Sequence, residues 1–381
     1  MAFSDFIGNP QVVAALRRML AAERVPHALL FSGPRGVGKF TLARLFAQAA
    51  NCERLKDDAC SECDPCRRIA ALADLQPLVQ RGLEERGADP DTATVERVPL
   101  ILQAHPDVWA IVPDPVRLRN PVKRPVIRMG QLRAVQRAAY FRPGARRRVF
   151  LLDDADTMRW DNQDIFLKIL EEPPESATLV LVASNPYLLN DTIRSRCMPF
   201  HFAPLRNEEV EAFLKERRKG MKPAERKLAA QLAGGSPGAA LELDLAESAR
   251  VRGEILRLVE TAMAGRNFAS VFEQTARLAK DEKQGFENLL ALLYSFLNDL
   301  LELSQGSGSS VLRNPDLERE LQALCQKTDL EGVERAVAQL DELQGRLRRN
   351  VSRQLGLDAL AVTLRAATAG KESAGPARRG A

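Results

Sequence analysis

The feature that most constrains this chain is a glycine-rich turn set between an apolar run and an amphipathic one. Ala28-Leu29-Leu30-Phe31 reads as a short buried strand. Gly33-Pro34-Arg35-Gly36-Val37-Gly38-Lys39-Phe40-Thr41 follows at once, and Lys39 to Ala50 resumes helical spacing through Leu42, Ala43, Leu45, Phe46 and Ala49. Strand, glycine turn and helix in that order form a nucleotide-binding arrangement. Backbone N–H groups of a turn built on Gly33, Gly36 and Gly38 can surround phosphates, the helix N-terminus adds a favourable dipole, and Lys39 can reach the outer phosphates. The bland alternative is a tight turn that needs only its glycines; the flanking strand and helix weigh against it.

The loop departs from its pattern at one position. The residue after the lysine should carry a hydroxyl for Mg²⁺, and here it is Phe40. Thr41 does not repair this easily, because one residue further along a helix points about 100° around the axis. ATP with Mg²⁺ is therefore expected to be held weakly. A second apolar run, Arg148 to Leu152, closes on Asp153-Asp154. Asp153 suits the carboxylate that supports Mg²⁺, and Asp154 takes the place of the glutamate that orients an attacking water, one methylene short. A solvated turn would explain these aspartates equally well if no phosphate loop preceded them.

Further strands are predicted at Val108–Val112 and Thr178–Ala183, with helices at Pro10–Ala22, Met129–Ala139 and about Asp161–Glu172, the last stopped by Pro173-Pro174. Strands alternating with helices imply an α/β fold with a parallel sheet covered on both faces. After about Pro204 the strand signal ends. The expected organisation is a P-loop domain over 1–204, a small helical lid over 205–249, an all-α domain over 250–367, and a disordered tail over 368–381. Gln305 to Ser310 is expected to be a flexible loop. Residues 74–103 show helical stretches without a motif and read as an insertion of unknown purpose.

Cys52, Cys60, Cys63 and Cys66 are spaced C-x7-C-x2-C-x2-C. Four thiols this close suit a tetrahedral structural Zn²⁺, with no open position for catalysis. Four unrelated core cysteines would not sit among Glu53, Arg54, Lys56, Asp57, Asp58, Glu62 and Asp64. Met1 to Asp5 carries no basic-then-apolar signal, and no run of about 18 apolar residues occurs, so a cytoplasmic protein without a membrane span is expected. The net charge is +5. Its distribution is more telling: from Pro115 to Leu152 there is no Asp or Glu, while arginines and lysines recur from Arg117 to Arg148. Such a block can neutralise phosphates or simply be a solvated face.

Together these residues resemble the bacterial clamp-loader family, the gamma/tau and delta-prime subunits of DNA polymerase III. The likeness is carried by Phe6-Ile7-Gly8-Asn9, Val25-Pro26-His27-Ala28-Leu29-Leu30-Phe31, the four-cysteine insert and His105-Pro106-Asp107. It continues through Leu167-Lys168-Ile169-Leu170-Glu171-Glu172-Pro173-Pro174 and Ile193-Arg194-Ser195-Arg196-Cys197, and more loosely through Leu347 to Leu355, which looks like the last collar helices. The resemblance implies an AAA+ domain and a helical collar in a hetero-oligomeric ring with gamma/tau and delta subunits, acting on a sliding clamp and primed DNA. It makes Arg196 an arginine finger for a neighbour's ATP, a role in which a guanidinium is worth about 10³–10⁵ in rate. A lone arginine would by default only cap or pair a helix; the flanking serine and cysteine outweigh that.

By the same resemblance, Asn185 is the polar residue near the gamma phosphate, and Gly238 stands where an active member carries an arginine. Phe40, Asp154 and Gly238 all weaken hydrolysis at this chain's own site while the finger is intact. That combination points to a delta-prime-type subunit, with a gamma/tau-type motor as the alternative and a DNA-binding AAA+ protein outside replication as a third reading. The basic span would then lie in a domain that encloses DNA, with Arg133 and Arg137 as contact candidates.

Overall fold

A computed structural model describes residues 2–87, 90–116, 125–264, 269–280, 286–306, 312–346 and 352–373. The chain divides into two compact units. One holds Met1–Lys219 with Gly235–Leu241, the other Gly220–Gly234 with Glu242–Ala381, so the segment expected to form a lid is shared between them.

The first unit opens with α1 (Pro10–Ala21), β1 (Ala28–Ser32), α2 (Lys39–Ala50) and α3 (Asp64–Ala70). The 74–103 insertion supplies α4 (Gln76–Glu84), α5 (Thr92–Arg97) and the first half of β2 (Leu102–His105). Then come β3 (Val108–Ile111), α6 (Met129–Ala139), β4 (Arg148–Leu152), α7 (Trp160–Glu171), β5 (Ala177–Ala183), α8 (Asp191–Arg196), β6 (Met198–His201) and α9 (Asn207–Arg217). The six strands form one sheet in the order β2-β3-β4-β5-β1-β6. All neighbours are parallel except β2, which runs antiparallel to β3. The expected parallel sheet therefore gains an antiparallel edge from the insertion.

Strand alternation sorts the core into two layers. Leu29, Phe31, Val149, Leu151, Val180 and Val182 face α1, α2 and α3, whereas Leu30, Phe150, Leu152, Leu179 and Leu181 face α6, α7 and α8. That two-sided burial explains the continuous apolar runs of the central strands.

The insertion is tied to this body by a buried ion network. Arg86 Nη1 lies 2.7 Å from Asp114 Oδ2, with both side chains almost fully enclosed, and Arg128 Nε approaches the same carboxylate at 3.6 Å. Arg86 Nε donates to Val98 O, and Gln131 Nε2 on α6 donates to Leu100 O and Val112 O.

The second unit is helical: α10 (Pro223–Leu232), then, after α11 (Pro237–Glu242), α12 (Leu245–Ala264), α13 (Ala269–Lys280), α14 (Phe286–Ser304), α15 (Glu318–Cys325), α16 (Leu330–Arg346) and α17 (Arg353–Ser373). Its core gathers Ile255, Val259, Leu293, Leu297, Leu340, Leu360 and Leu364. Arg252, 1% exposed, is held by both oxygens of Asp316 at 2.6 and 2.9 Å. The backbone of α17 runs through Ser373, past residue 368, where a tail was expected. Ser307–Ser310, Leu347–Asn350 with Val351, and residues 374–381 lie outside the described residues. No helix among the described residues is long and apolar enough to cross a membrane.

Removing one member of a buried ion network leaves its partners uncompensated. Asp114→Ala strands two arginines and is expected to lower stability by about 3–5 kcal/mol, read as a shifted midpoint in denaturant unfolding.

Candidate functional site

The candidate nucleotide site lies at the C-terminal edge of the sheet. Ser32 ends β1 with its Oγ 2.7 Å from His201 Nδ1 on β6. The chain then turns through Gly33 at φ +147° and Gly36 at φ +73° before Gly38 caps α2. Both turns demand glycine for space as well as conformation: a Cβ on Gly33 would collide with Phe202 O, and one on Gly36 with Ser236 Oγ.

Lys39 is buried and donates from Nζ to Gly33 O and Pro34 O, each at 2.7 Å, so the ammonium rests on carbonyls of its own loop. Burial draws its pKa below the ordinary lysine value, opposed by Asp153, Asp154 and Asp156. Above the loop, Gly238 N donates to Gly36 O at 2.9 Å. Phe40 packs against the apolar cluster of the α1–α2 layer, as a phenyl ring should and a metal ligand would not. Thr41 is half-buried one residue on.

At the end of β4, burial first and the neighbouring Asp154 second push the Asp153 carboxyl up to about 6. Asp154 adopts a left-handed backbone (φ 44°, ψ 47°), uncommon outside glycine, and its side chain lies 3.8 Å from Arg35. Asn185 follows β5. Its Oδ1 accepts from Tyr187 N at 3.1 Å, and its N–H donates to Asp156 Oδ2 at 2.9 Å. Asp153, Asp154, Lys39 and the glycine turn thus converge on one sheet edge, with Asn185 joined to them through Asp156. Asp156 had no assigned role in the sequence; its link to Asn185 depends on two strand ends meeting, which no local pattern announces.

The four cysteines also converge. Their sulfurs all lie within 4.8 Å of one another. A tetrahedron of Zn–S bonds of about 2.3 Å has edges of roughly 3.8 Å, so the thiols fit a single ion. Cys52, Cys63 and Cys66 are buried while Glu53, Arg54, Lys56 and Glu62 between them are exposed; Asp58 is the exception, buried and accepting from Phe3 N–H. The N–H of Cys63 donates to Cys60 Sγ at 3.3 Å and, with that of Glu62, lowers the Cys60 thiol to about 6. Leu55 N donates to Cys52 Sγ at 3.3 Å. Burial pushes the Cys66 thiol up. N–H groups aimed at sulfur suit thiolates, and this cluster can bind a metal such as zinc.

Arg196 closes α8. Its Nη2 donates to Glu171 Oε1 at 3.0 Å and its Nη1 to Thr192 O at 3.1 Å, so in the chain alone it does pair and cap. Glu171, at the end of α7, is a partner that sequence spacing did not reveal. The neighbouring Arg194 stacks 4.9 Å from the centre of the exposed Tyr187 ring.

The basic span divides. Arg128 pairs with Asp114 and Arg148 with Asp107 at 2.8 Å, while Arg147 donates to Thr178 Oγ1, so these are structural. Arg133 and Arg137 stand exposed one turn apart on α6. Arg117, Arg119, Lys123 and Arg124 lie outside the described residues.

Strand order, glycine turn, acidic strand end and four-thiol insert define a protein of the AAA+ clamp-loader fold. Residues 8–206 match the model of "DNA polymerase III, delta subunit" and residues 254–364 that of its C-terminal domain, so the chain belongs to the DNA polymerase III delta-subunit family. DNA polymerase III subunit delta' of Bacillus subtilis is 25% identical over 360 residues, covering 93% of this chain and 96% of that protein. Subunit tau of Escherichia coli is 30% identical over 268 residues, 69% of this chain, and subunit tau/gamma of Haemophilus influenzae 29% over 213 residues, 56% of this chain. The matched parts span only 36% and 25% of those two proteins.

Because the Asp153 carboxyl titrates higher in the fold than in the unfolded chain, its ionised form weakens the fold as pH rises from about 4 through 6. Asp153→Asn removes that penalty. Its melting temperature is expected to match wild type near pH 4 and exceed it near pH 7; an offset independent of pH, followed by calorimetry, would refute the assignment.

Proposed function

We propose that this chain is the delta-prime subunit of a clamp loader, completing an ATPase ring with gamma/tau and delta subunits that loads a sliding clamp onto primed DNA. The observation that carries the reading is the state of its own phosphate loop, taken together with a half-buried Arg196 held, among the described residues, only by Glu171 and a helix carbonyl. Lys39 is spent on Gly33 O and Pro34 O, Phe40 packs half-buried against the core, and Gly238 sits against Gly36. The full-length likeness to a delta' protein supports the same choice. Gly33, Gly36, Gly38, Lys39, Thr41, Asp153, Asp154 and Asn185 are then an inherited nucleotide site that holds ATP and Mg²⁺ weakly. Arg196 is the residue that acts, leaving Glu171 to reach the phosphates bound by the adjoining subunit. Residues 205–249 serve as the lid, residues 250–367 as the collar, and Arg133 and Arg137 as contacts to DNA. The 30% identity of this chain to a tau protein over 268 residues favours the alternative of a motor subunit; ATP turnover by the isolated chain that Lys39→Ala abolishes would establish that alternative instead.

The four thiolates hold one structural Zn²⁺ that closes the segment between α2 and α3. The purified protein is expected to carry about one zinc per chain by elemental analysis. Cys63→Ser should lose it and melt at a lower temperature, and a metal-free wild type of unchanged stability would exclude the site.

The finger is tested by reconstitution with motor and clamp-opening subunits. Arg196→Ala is expected to assemble normally while DNA- and clamp-stimulated ATP turnover falls by about tenfold or more. Turnover equal to wild type removes the assignment.

A further inference from the structure

The insertion has no part in the nucleotide or thiol sites, yet it is firmly built into the fold. Its α5 runs against the start of α6: Gly130 N donates to Glu96 Oε2, and a Cβ at Gly130 would collide with Glu96 O, so only glycine permits the approach. On the other side of Arg97, Val98 O accepts from the buried Arg86. Arg97 is thus bracketed by two anchored residues and is delivered to a fixed place. That place is an open surface cleft of about 440 Å³ lined by Glu96, Arg97, Gly130, Arg133, Gln136 and Arg137, wide enough for a small anionic group.

Charge decides what such a cleft takes. Among the described residues, the side chains of Arg97, Arg133 and Arg137 make no hydrogen bond or ion pair, the Asp91 carboxylate outside the lining acts on Arg97 only at longer range, and the one carboxylate of the lining, Glu96, is already engaged by Gly130 N–H. Three guanidiniums against one carboxylate leave the lining with two net positive charges, mutually repelling until an anion enters. Guanidinium forks match phosphate oxygens in pairs, and several of them around one cleft suit a multiply charged anion over a single carboxylate.

We propose that the insertion and α6 build a binding site for phosphate groups, with Arg97, Arg133 and Arg137 as the charged ligands and Gln136 as a neutral donor. The insertion's role is to bring Arg97 to the two arginines of α6. The site extends the assignment of Arg133 and Arg137 as phosphate contacts. It requires neither ring nor clamp, so its failure leaves the finger untouched. The phosphates come either from a free polyphosphate ligand or from a nucleic-acid strand, and the two sources separate experimentally.

The full chain is titrated calorimetrically with inorganic pyrophosphate and, by fluorescence anisotropy, with a labelled primed duplex over a series of salt concentrations. Wild type is compared with Arg97→Gln, Arg133→Gln and a control, Arg257→Gln, on an exposed part of α12 in the other unit. Arg97 and Arg133 are exposed, so their variants should keep the wild-type melting temperature. Pyrophosphate affinity falling about tenfold in both site variants, with the control unchanged, supports the site and a free ligand. No pyrophosphate binding, but a salt slope for DNA reduced by about 0.9 in Arg97→Gln, supports the site and a nucleic-acid source. Arg97→Gln behaving as wild type with both probes, or the control losing as much, overturns the proposal.

Discussion

The structure depends on how tightly β1 is enclosed. It is hydrogen-bonded to β5 on one edge and β6 on the other, and its side chains are buried on both faces. A strand with no free edge and no free face cannot shift register without exposing apolar surface and breaking two ladders. Whatever leaves its C-terminal end must therefore adapt to a fixed origin. The glycine turn does so by passing against Phe202 O, which belongs to the segment just beyond β6, and α2 then starts in the one direction left to it. The position of Lys39, and through β4 and β5 that of Asp153 and Asn185, follows from this.

Much of that frame was legible in the chain because its signals are local. Apolar runs bounded by turns marked the buried strands, and the Met129–Ala139 helix appears with the bounds its periodicity predicts. The thiol cluster was legible because its four cysteines all lie in a short stretch of sequence. β2 and β6 were not seen. Leu102-Gln103-Ala104-His105 has no apolar run of its own and is a strand only because β3 offers an edge, while Met198-Pro199-Phe200-His201 carries a proline that argues against a strand. β6 tolerates it because it lies at the sheet edge. The partners that set side chains in place were equally hidden. Asp156 beneath Asn185, Glu171 beside Arg196 and Asp114 between Arg86 and Arg128 join residues brought together only by the tertiary fold.

The basic span shows why a charge count is a poor guide to function. Arg128, Arg147 and Arg148 sit in one sequence block with Arg133 and Arg137, but the first three are consumed by carboxylates, a carbonyl and the Thr178 hydroxyl. The helical period then turns the other two to the outside of α6. Sequence alone could not divide the block, because the division depends on which acids the fold brings near, and those acids, Asp107 and Asp114, lie outside it.

The contact between Gly36 and Gly238 bears on how such a chain changes over generations. A Cβ at position 238 would lie 3.0 Å from both the Cα and the carbonyl oxygen of Gly36, so a side chain there must displace main chain, which yields far less readily than a flexible side chain. Gly36 is itself confined by Ser236. Substituting an arginine for Gly238 in this background would therefore strain the glycine turn beneath it. The glycine pair acts as an evolutionary ratchet: any side chain at position 238 has to be preceded by rearrangement of the loop, at positions where an intermediate sequence has yet nothing to gain.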